Sequence, residues 1–353
     1  MPAPHAPSLP PHSTVAGSSE DALLACIDRH FPRAHDRLLL GRGDDCALLA
    51  PTGPLCLSAD MFLEGVHFRR SYFSAREAGH KALAVNVSDI AAMGARPTGF
   101  ALCLGLPGDT PLDWVDGFCA GMAALARAHD LPLVGGDLSA ADTVQASVSV
   151  WGEQATPDPQ GAHFLRRGQA SPGDVIFCVG AIGLARVGLR LLEKARTADA
   201  VAEVRALWPA ACAAHLTPQP QVAAGLALAR LRTLHAAPMG LMDVSDGLAR
   251  DLPRLLGAGP RGADITLTSD ALPDILPDEL RRHAAAHGLD PLREALAGGE
   301  DYALAGTCPP TLWEDVRRTV PGAWCLGRVT GVPGLTLLGA PLEIQGFDHF
   351  ITG

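Results

Sequence analysis

The 353-residue sequence has little positive charge and almost none of it on lysine. Its formal net charge is −10, and its lysines are Lys81 and Lys194. Nonspecific nucleic-acid binding requires a basic surface that contacts phosphates, so this charge balance argues against that class of protein. Any phosphate group bound by this chain must therefore be held by arginine, by backbone amides or by a metal ion.

The sequence also lacks several segments and motifs that mark other protein classes. No run of about eighteen apolar residues occurs, so we expect no membrane span. The P-loop pattern GxxxxGK[ST] is absent, and neither lysine follows a glycine. The nine cysteines include no CxxC pair. An odd, unpatterned set of cysteines is typical of reduced thiols in a cytoplasmic protein.

The length of the chain favours two domains. Residues 1–18 are rich in proline, serine and histidine and lack the basic and apolar regions of a signal peptide, which predicts a disordered tail. A connector at 156–161 contains proline and glycine. It predicts an N-terminal domain over 19–155 and a C-terminal domain over 156–353.

Paired carboxylates, Asp44 and Asp45, stand on a glycine-rich turn, and Asp60 follows where an alternating apolar run ends. Adjacent carboxylates repel each other and raise one another's pKa unless a cation neutralises them. Oxygen ligands on a turn and a strand end suit Mg²⁺, which takes its other ligands from water or phosphate. A solvated acidic turn on a hairpin is the alternative.

Asp89 lies on a predicted helix over 74–95, which starts with a capping box formed by Ser74 and Glu77. It shares a face with Asn86 inside an otherwise apolar surround. Because a buried carboxylate needs a partner, a metal ligand and a helix-surface aspartate both stay open for Asp89.

Acidic residues recur at the ends of later strands. Asp137 follows an apolar strand and two glycines, where uncovered backbone lets a carboxylate approach a phosphate-bound cation; a plain turn is the alternative. Asp243 and Ser245 share one face of a short strand. Asp246 starts the next turn, before a helix whose N-terminus favours anions; a simple N-cap is its alternative.

Three more residues are candidates for substrate contacts. His67 has apolar neighbours, and a lone histidine in such a setting is more often structural than a ligand. Basic pairs are usually solvated, but in a chain with so few cations Arg167 is a candidate phosphate contact. Glu300 repeats the pattern of two glycines followed by an acidic residue.

Taken together, these pieces resemble thiamine-monophosphate kinases, a family in the superfamily of aminoimidazole-ribonucleotide synthetase and selenophosphate synthetase. The matching stretches follow the family's order from about Gly43 to Phe350: GDDCALL, SADMFLEGVHF, HKALAVNVSDIAAMGARP, LVGGD, RRGQASPGD, MDVSDGLARDL, AGGEDYAL and GFDHF. The resemblance implies an α+β, two-domain fold like that of aminoimidazole-ribonucleotide synthetase. The N-terminal sheets would pair in a homodimer, and a C-terminal α/β domain would complete the substrate site.

The resemblance also implies a reaction, in which ATP phosphorylates thiamine monophosphate to thiamine diphosphate by direct in-line transfer assisted by several Mg²⁺ ions. No catalytic side chain is expected, because the attacking phosphate oxygen is already anionic. The implied metal ligands are Asp45, Ser58, Ala59, Asp60, Asp89, Asp137, Asp243 and Asp246. The implied ATP contacts are Phe118, Gly136, Asp137, Arg167 and Ser245. The implied contacts of thiamine monophosphate are His67, Glu300 and Phe347.

The sequence departs from the family pattern at three places. Ala59 stands where the family has threonine, residues 138–141 read Leu-Ser-Ala-Ala where it has Thr-Thr-Arg-Gly, and Phe347 replaces a tyrosine. Two alternatives stay open. One is another ATP-using enzyme of the superfamily, such as an aminoimidazole-ribonucleotide synthetase or a carbamoyl-dehydrating hydrogenase maturation protein. The other is a catalytically silent protein that binds nucleotide or Mg²⁺.

Overall fold

A computed structural model describes residues 14–154, 164–267 and 275–344. The chain divides into two compact units. The first comprises residues 1–86 and 97–153, and the second comprises residues 87–96 and 154–353. The second unit thus includes 87–96, a segment that the sequence analysis assigned to the N-terminal domain.

Strands of the first unit form two sheets within the described residues. A two-stranded antiparallel sheet pairs β1 (Leu38–Leu40) with β2 (Leu48–Leu49). The other sheet contains β3 (Leu55–Leu63), β4 (Ala95–Leu106), β5 (Leu133–Ala140) and β6 (Gln145–Gln154). Its strand order is β3-β6-β4-β5, with β3 antiparallel to β6 and β4 parallel to β5. β3 therefore lies at an edge of this sheet.

Three helices begin in the first unit: α1 (Glu20–His30), α2 (Ala75–Ala92) and α3 (Leu112–Ala128). The predicted capping box at the start of α2 is confirmed. The Ser74 N–H donates to Glu77 Oε2 at 2.8 Å, and the Glu77 N–H donates to Ser74 Oγ at 3.3 Å. Both bonds satisfy donors that a helix N-terminus leaves without backbone partners.

The end of the predicted disordered tail is ordered. Residues 1–13 lie outside the described residues, but Val15–Gly17 form a 3-10 turn. The Val15 N–H donates to the Thr110 carbonyl at 2.9 Å, and the Ala16 N–H donates to the Gly108 carbonyl at 2.8 Å. These long-range backbone bonds connect Val15 and Ala16, in a segment whose composition alone suggests disorder, to the residues just before α3.

The second unit contains a seven-stranded sheet in the order β13-β12-β9-β11-β7-β10-β8, counted over the described residues. Its strands are β7 (Val175–Val179), β8 (Gly240–Asp243), β9 (Gly262–Ile265), β10 (Leu304–Cys308), β11 (Ala323–Thr330), β12 (Gly334–Leu337) and β13 (Ala340–Pro341). β12 runs parallel to β9, whereas β10 is antiparallel to both β7 and β8.

Helices cover both faces of this sheet: α4 (Leu184–Lys194), α5 (Ala198–Leu207), α6 (Pro209–Leu216), α7 (Val222–His235), α8 (Leu248–Leu256), α9 (Asp278–His287), α10 (Pro291–Ala297) and α11 (Trp313–Thr319). On β7, Ile176 joins a buried cluster with Leu252 of α8, and Phe177 joins a second cluster with Leu228 of α7. Alternate residues of a strand point to opposite faces, so the sheet is buried on both sides. The predicted α+β class is confirmed.

Two strands are longer than the sequence indicated. β3 runs to Leu63, so Asp60 lies inside the strand opposite Val148 and not at its end. β5 runs to Ala140, so Asp137 lies inside a strand opposite Cys103 and not on a turn. In both places pairing with the neighbouring strand continues through the polar residue, since the backbone ladder does not depend on an apolar side chain.

Candidate active site

The buried side chain of Asn86 holds the backbone of Asp60. Asn86 lies on α2 with none of its surface exposed, and its Oδ1 accepts a hydrogen bond of 3.1 Å from the Asp60 N–H. Its Nδ2 donates to the Ala82 carbonyl at 3.0 Å. Ser58 is half-buried on the same strand, whereas Ala59 and Asp60 are exposed. Asn86 thus fixes the backbone of β3 at Asp60, the acidic residue of that strand.

The acidic turn between β1 and β2 is open to solvent. Asp44 and Asp45 are both exposed, and the Asp45 N–H donates to Asp44 Oδ1 at 2.8 Å. This bond stabilises the turn from within, as short acidic side chains commonly do. The exposed carboxylate of Asp45 is accessible to a cation from solution.

Gly136 determines the backbone path next to Asp137. Its φ is +152°, and a Cβ built on it would come within 1.7 Å of the Leu102 carbonyl oxygen on β4. Only glycine fits such a position. Asp137 is exposed, and its Oδ2 accepts a hydrogen bond of 2.8 Å from Ser139 Oγ. The close approach of the Leu102 carbonyl and the positive φ therefore explain why the second residue of the GGD motif is glycine.

Asp243 is a buried carboxylate at the end of β8, with 4% of its surface exposed. Burial, and after it the nearby negative charge of Asp89, raise its pKa to about 8. A hydrogen bond of 3.0 Å from Ser88 Oγ to its Oδ2 and the positive charge of Arg167 act in the opposite direction. The site thus combines two carboxylates with one exposed arginine that is close enough to lower the pKa of Asp243.

The donor set around Asp243 fits a hard divalent cation. Across the described ranges, no group of three or more His, Cys, Asp or Glu side chains is placed to hold a metal ion. Mg²⁺ commonly binds through one or two carboxylates and takes its other ligands from water and phosphate. The pair formed by Asp89 and Asp243 meets that requirement, and a cation would remove the repulsion that raises the pKa of Asp243.

Asp246 forms an ion pair and does not cap the following helix. Arg254 Nη1 donates to Asp246 Oδ2 at 2.6 Å, and Arg250 Nε lies 3.8 Å from the same oxygen. Gly247 occupies the N-cap position of α8, so the alternative of a simple N-cap for Asp246 is excluded. Ser245, immediately before it, is half-buried.

Glu300 is paired with a histidine that the sequence analysis did not single out. His215, on α6 with 1% of its surface exposed, places Nδ1 at 3.1 Å from Glu300 Oε2. Glu300 has a φ of +63°, and its N–H donates to the Ser245 carbonyl at 2.7 Å. These contacts join Glu300 to the segment that carries Ser245. No sequence spacing connects His215 with Glu300, so only the fold reveals the pair.

Asp301, next to Glu300, binds the N-terminus of α4. Its Oδ2 accepts from the Gly183 N–H at 2.5 Å, and its Oδ1 accepts from the Ala185 N–H at 3.1 Å. Burial nevertheless raises the pKa of this carboxyl to about 7. The GGED segment is thus bound to the Ser245 carbonyl through the Glu300 N–H and to the start of α4 through the Asp301 carboxylate.

The remaining sequence-derived contacts lie in different environments. The Leu63 N–H donates to His67 Nδ1 at 3.0 Å, so the neutral ring of His67 carries its proton on Nε2. Phe118 is fully buried and stacks on Trp114 with ring centroids 5.5 Å apart. Its side chain is part of the core of the first unit. Phe347 lies outside the described residues.

Comparison with known proteins identifies the family. Residues 43–154 match the model of the N-terminal domain of AIR synthase related proteins. The chain is 35% identical to the thiamine-monophosphate kinase of Escherichia coli over 348 residues, which cover 92% of this chain and 97% of that protein. The chain belongs to the thiamine-monophosphate kinase family. The family and the kinase class that the motifs predicted are confirmed.

Other relatives of this family member agree. The thiamine-monophosphate kinase of Synechococcus elongatus is 34% identical over 327 residues, which cover 88% of this chain and 92% of that one. The crystal structure of the kinase from Stenotrophomonas maltophilia matches with a TM-score of 0.76 and 33% identity, over 92% of this chain and 98% of that chain. The predicted two-domain fold is thereby confirmed.

Two solved complexes also share the fold. The complex of AaThiL with AMPPCP and TMP has a TM-score of 0.69 at 29% identity and covers 94% of this chain and 97% of that chain. Hydrogenase maturation protein HypE in complex with ATP has a TM-score of 0.69 at 20% identity, over 92% of both chains. At that identity the second likeness shows the fold alone.

Two further features of this family member are the character of its helices and the state of its cysteines. In the parts of the chain that the structure describes, no helix has both the length and the apolar character that crossing a membrane demands. All nine cysteines are free thiols.

Proposed function

We propose that this kinase transfers the γ-phosphoryl group of ATP to the phosphate of thiamine monophosphate and so produces thiamine diphosphate. The observation that carries the proposal is the likeness to thiamine-monophosphate kinases over nearly the whole chain. The related complex with AMPPCP and TMP supports the two substrates. The motifs around Asp243 and Glu300 supply the kinds of groups that such substrates require.

The reaction needs positioning and charge compensation more than it needs a reactive side chain. The acceptor is an anionic phosphate oxygen, so no general base has to create the nucleophile. The barrier is dominated by bringing two negatively charged groups in line. Mg²⁺, when bound, would supply the positive charge between carboxylates and phosphates. Arg167, exposed and close to Asp243, is the side chain we assign to a phosphate of ATP.

The remaining assignments follow the motifs. Several Mg²⁺ ions would be held by Asp45, Ser58, Ala59, Asp60, Asp89, Asp137, Asp243 and Asp246, with Ala59 contributing its carbonyl. ATP would contact Gly136, Asp137, Arg167 and Ser245. It would meet Phe118 through the backbone, since the ring of Phe118 is buried. Thiamine monophosphate would contact His67, Glu300 and Phe347. Glu300 suits the amino group or ring proton of a pyrimidine, and the phenyl ring of Phe347 can stack on an aromatic ring.

The proposal includes a homodimer formed through the edge of the first unit's sheet. Edge strand β3 exposes three large apolar side chains, Leu55 (41%), Leu57 (70%) and Met61 (55%). An exposed apolar edge strand favours pairing with another chain. We place the enzyme in the cytoplasm, where free thiols are the usual state of cysteine.

The test is incubation of the purified protein with ATP, Mg²⁺ and thiamine monophosphate, followed by chromatographic separation of the thiamine phosphates. Thiamine diphosphate formed in equal amount to ADP supports the proposal. Parallel reactions with a formylglycinamidine ribonucleotide and with a carbamoylated peptide cysteine test the other superfamily activities. Turnover of one of those substrates alone would replace the proposed function. ATP binding without any turnover would identify a silent nucleotide-binding protein.

A further inference from the structure

Asp251 lies on α8 with none of its surface exposed, yet its carboxylate is fully engaged. Its Oδ2 accepts the backbone N–H of Ser245 at 3.1 Å and that of Asp246 at 3.0 Å. Its Oδ1 accepts Arg254 Nη1 at 3.1 Å. Two amides and a guanidinium thus offset part of the cost of burying this carboxylate, whose pKa burial still raises.

The same arginine connects Asp251 to the side chain of Asp246. Arg254 Nη1 also donates to Asp246 Oδ2 at 2.6 Å. Asp246 is therefore held through its backbone by Asp251 and through its carboxylate by Arg254. Both contacts originate from one helix, α8, which therefore holds the turn through its backbone and through a side chain.

The residue just after this turn cannot act as a capping side chain. The residue at the N-cap of α8 is Gly247, which has no side chain to accept backbone N–H groups. On its other side, the turn packs closely, because a Cβ on Gly299 would come within 2.6 Å of the Ser245 carbonyl oxygen. Asp251 supplies from within the first turn of α8 the acceptor that a capping residue would normally supply.

We propose that Asp251 is a positioning residue, which fixes Ser245 and Asp246 in the orientation that ATP and its cation require. This inference rests on the proposed function. With its oxygens occupied by the turn and by Arg254, Asp251 acts through Ser245 and Asp246 and not by touching substrate. Loss of such a supporting carboxylate typically costs about 10- to 100-fold in metal affinity or activity.

The first readout needs no substrate. Hydrogen exchange of the Ser245 and Asp246 amides is measured in the ligand-free protein. In Asp251→Ala both amides lose their acceptor and should exchange at least about tenfold faster. In Asp251→Asn one carboxamide oxygen can still accept both N–H groups, so exchange should stay within about threefold of wild type. Unchanged exchange in Asp251→Ala would overturn the inference.

The second readout compares the kinetic constants for ATP with those for thiamine monophosphate. For Asp251→Ala we expect kcat/KM for ATP to fall about 10- to 100-fold, and the Mg²⁺ concentration for half-maximal rate to rise. The KM for thiamine monophosphate should change less than about threefold. Asp251→Asn should retain more activity than Asp251→Ala. An equal loss for both substrates, or an equal loss in both variants, would overturn the inference.

A matched control separates positioning from general destabilisation. Asp174 is also buried, at 6% exposure, and its Oδ2 accepts the Ser171 N–H at 2.8 Å. Asp174→Asn should leave the KM for ATP and the Mg²⁺ requirement unchanged even where it lowers the melting temperature. If Asp251→Ala does not fold, the amide exchange of Asp251→Asn tests the inference. Exchange of Ser245 and Asp246 within about threefold of wild type then supports it, and much faster exchange contradicts it. A wild-type protein that forms no thiamine diphosphate would defeat the proposed function, whereas the exchange experiment would still test the hold on the turn.

Discussion

Ser88 and Asp243 are 155 residues apart in the sequence and are joined by a buried hydrogen bond of 3.0 Å from Ser88 Oγ to Asp243 Oδ2. It is a direct contact between the VNVSDIAAMG and MDVSDG motifs. It keeps the carboxylate of Asp243 in place next to the negative charge of Asp89, although burial raises the pKa of Asp243 to about 8. The arrangement is one that a cation would stabilise.

Ser88→Ala should lower the free energy of unfolding by about 1–3 kcal/mol, because a buried carboxyl group loses its donor. Urea denaturation followed by circular dichroism measures the change. Ser139→Ala is the matched control, since Ser139 donates to the carboxylate of Asp137 at an exposed position. Its effect should stay within about 0.5 kcal/mol. Equal losses in both variants would contradict the role of burial.

The stability of the protein should fall as the pH rises from about 4 to about 7, through Asp301. Burial raises the pKa of Asp301 from 3.8 to about 7, so the native state binds more protons than the unfolded state between these values. Asp301 contributes its full stabilisation below about pH 4. That contribution is lost as the pH rises to about 7, and above pH 7 the ionisation of Asp301 no longer changes the free energy of unfolding.

Asp301→Asn removes this titration and should make the fall of the free energy of unfolding with pH shallower across that window. A residual slope should remain, because the pKa of Asp243 is also raised, to about 8. Asp290→Asn is the control, because Asp290 is an exposed N-cap that accepts from the Leu292 N–H at 2.8 Å. It should retain the wild-type slope. An Asp301→Asn curve with the wild-type slope would show that another group titrates.

Glu300→Gln should raise the KM for thiamine monophosphate about tenfold, because a hydrogen bond to a charged acceptor is replaced by a weaker one. The KM for ATP should change less than about twofold. His215→Gln should produce part of the same effect through the contact of His215 Nδ1 with Glu300 Oε2. Steady-state kinetics with each substrate varied in turn gives both constants.

Glu279→Gln is a control for that experiment, since Glu279 binds the N-terminus of α6, the helix that carries His215. It tests whether loosening the helix is enough to change substrate affinity. Equal effects of Glu300→Gln on both substrates would refute the assigned contact.

Gly136→Ala should lower the free energy of unfolding by at least about 2 kcal/mol, because its Cβ would clash with the Leu102 carbonyl and φ is positive. Gly135→Ala, one residue earlier, is the control: a Cβ there meets no atom within 4 Å. Its cost should stay below about 1 kcal/mol. Chemical denaturation compares the two, and similar costs would contradict the steric argument.

Local patterns in the sequence predicted much of this molecule. The capping box of Ser74 and Glu77 forms as expected, because it depends on residues three apart. The alternation of apolar residues located β3 but not its end, since strand pairing continues past Asp60. Pairing partners are set by tertiary structure, which a single stretch of sequence does not contain.

The supporting residues of the site were harder to find. Asp251 had a usable signal, because it is spaced with Leu248 and Leu255 on the apolar face of a helix and a carboxylate there needs partners. His215 had none, since its pairing with Glu300 depends on the packing of α6. Contacts such as that of His215 with Glu300 join distant parts of the chain, so no local motif encodes them.

The most direct measurement is a crystal structure of this kinase with AMPPCP, thiamine monophosphate and Mn²⁺ in place of Mg²⁺. Anomalous scattering locates the metal ions independently of the protein. We predict a Mn²⁺ peak within about 2–2.5 Å of carboxylate oxygens from both Asp89 and Asp243, which also contacts a phosphate oxygen of the nucleotide. Nucleotide bound with no anomalous peak within about 4 Å of either carboxylate would contradict the proposal.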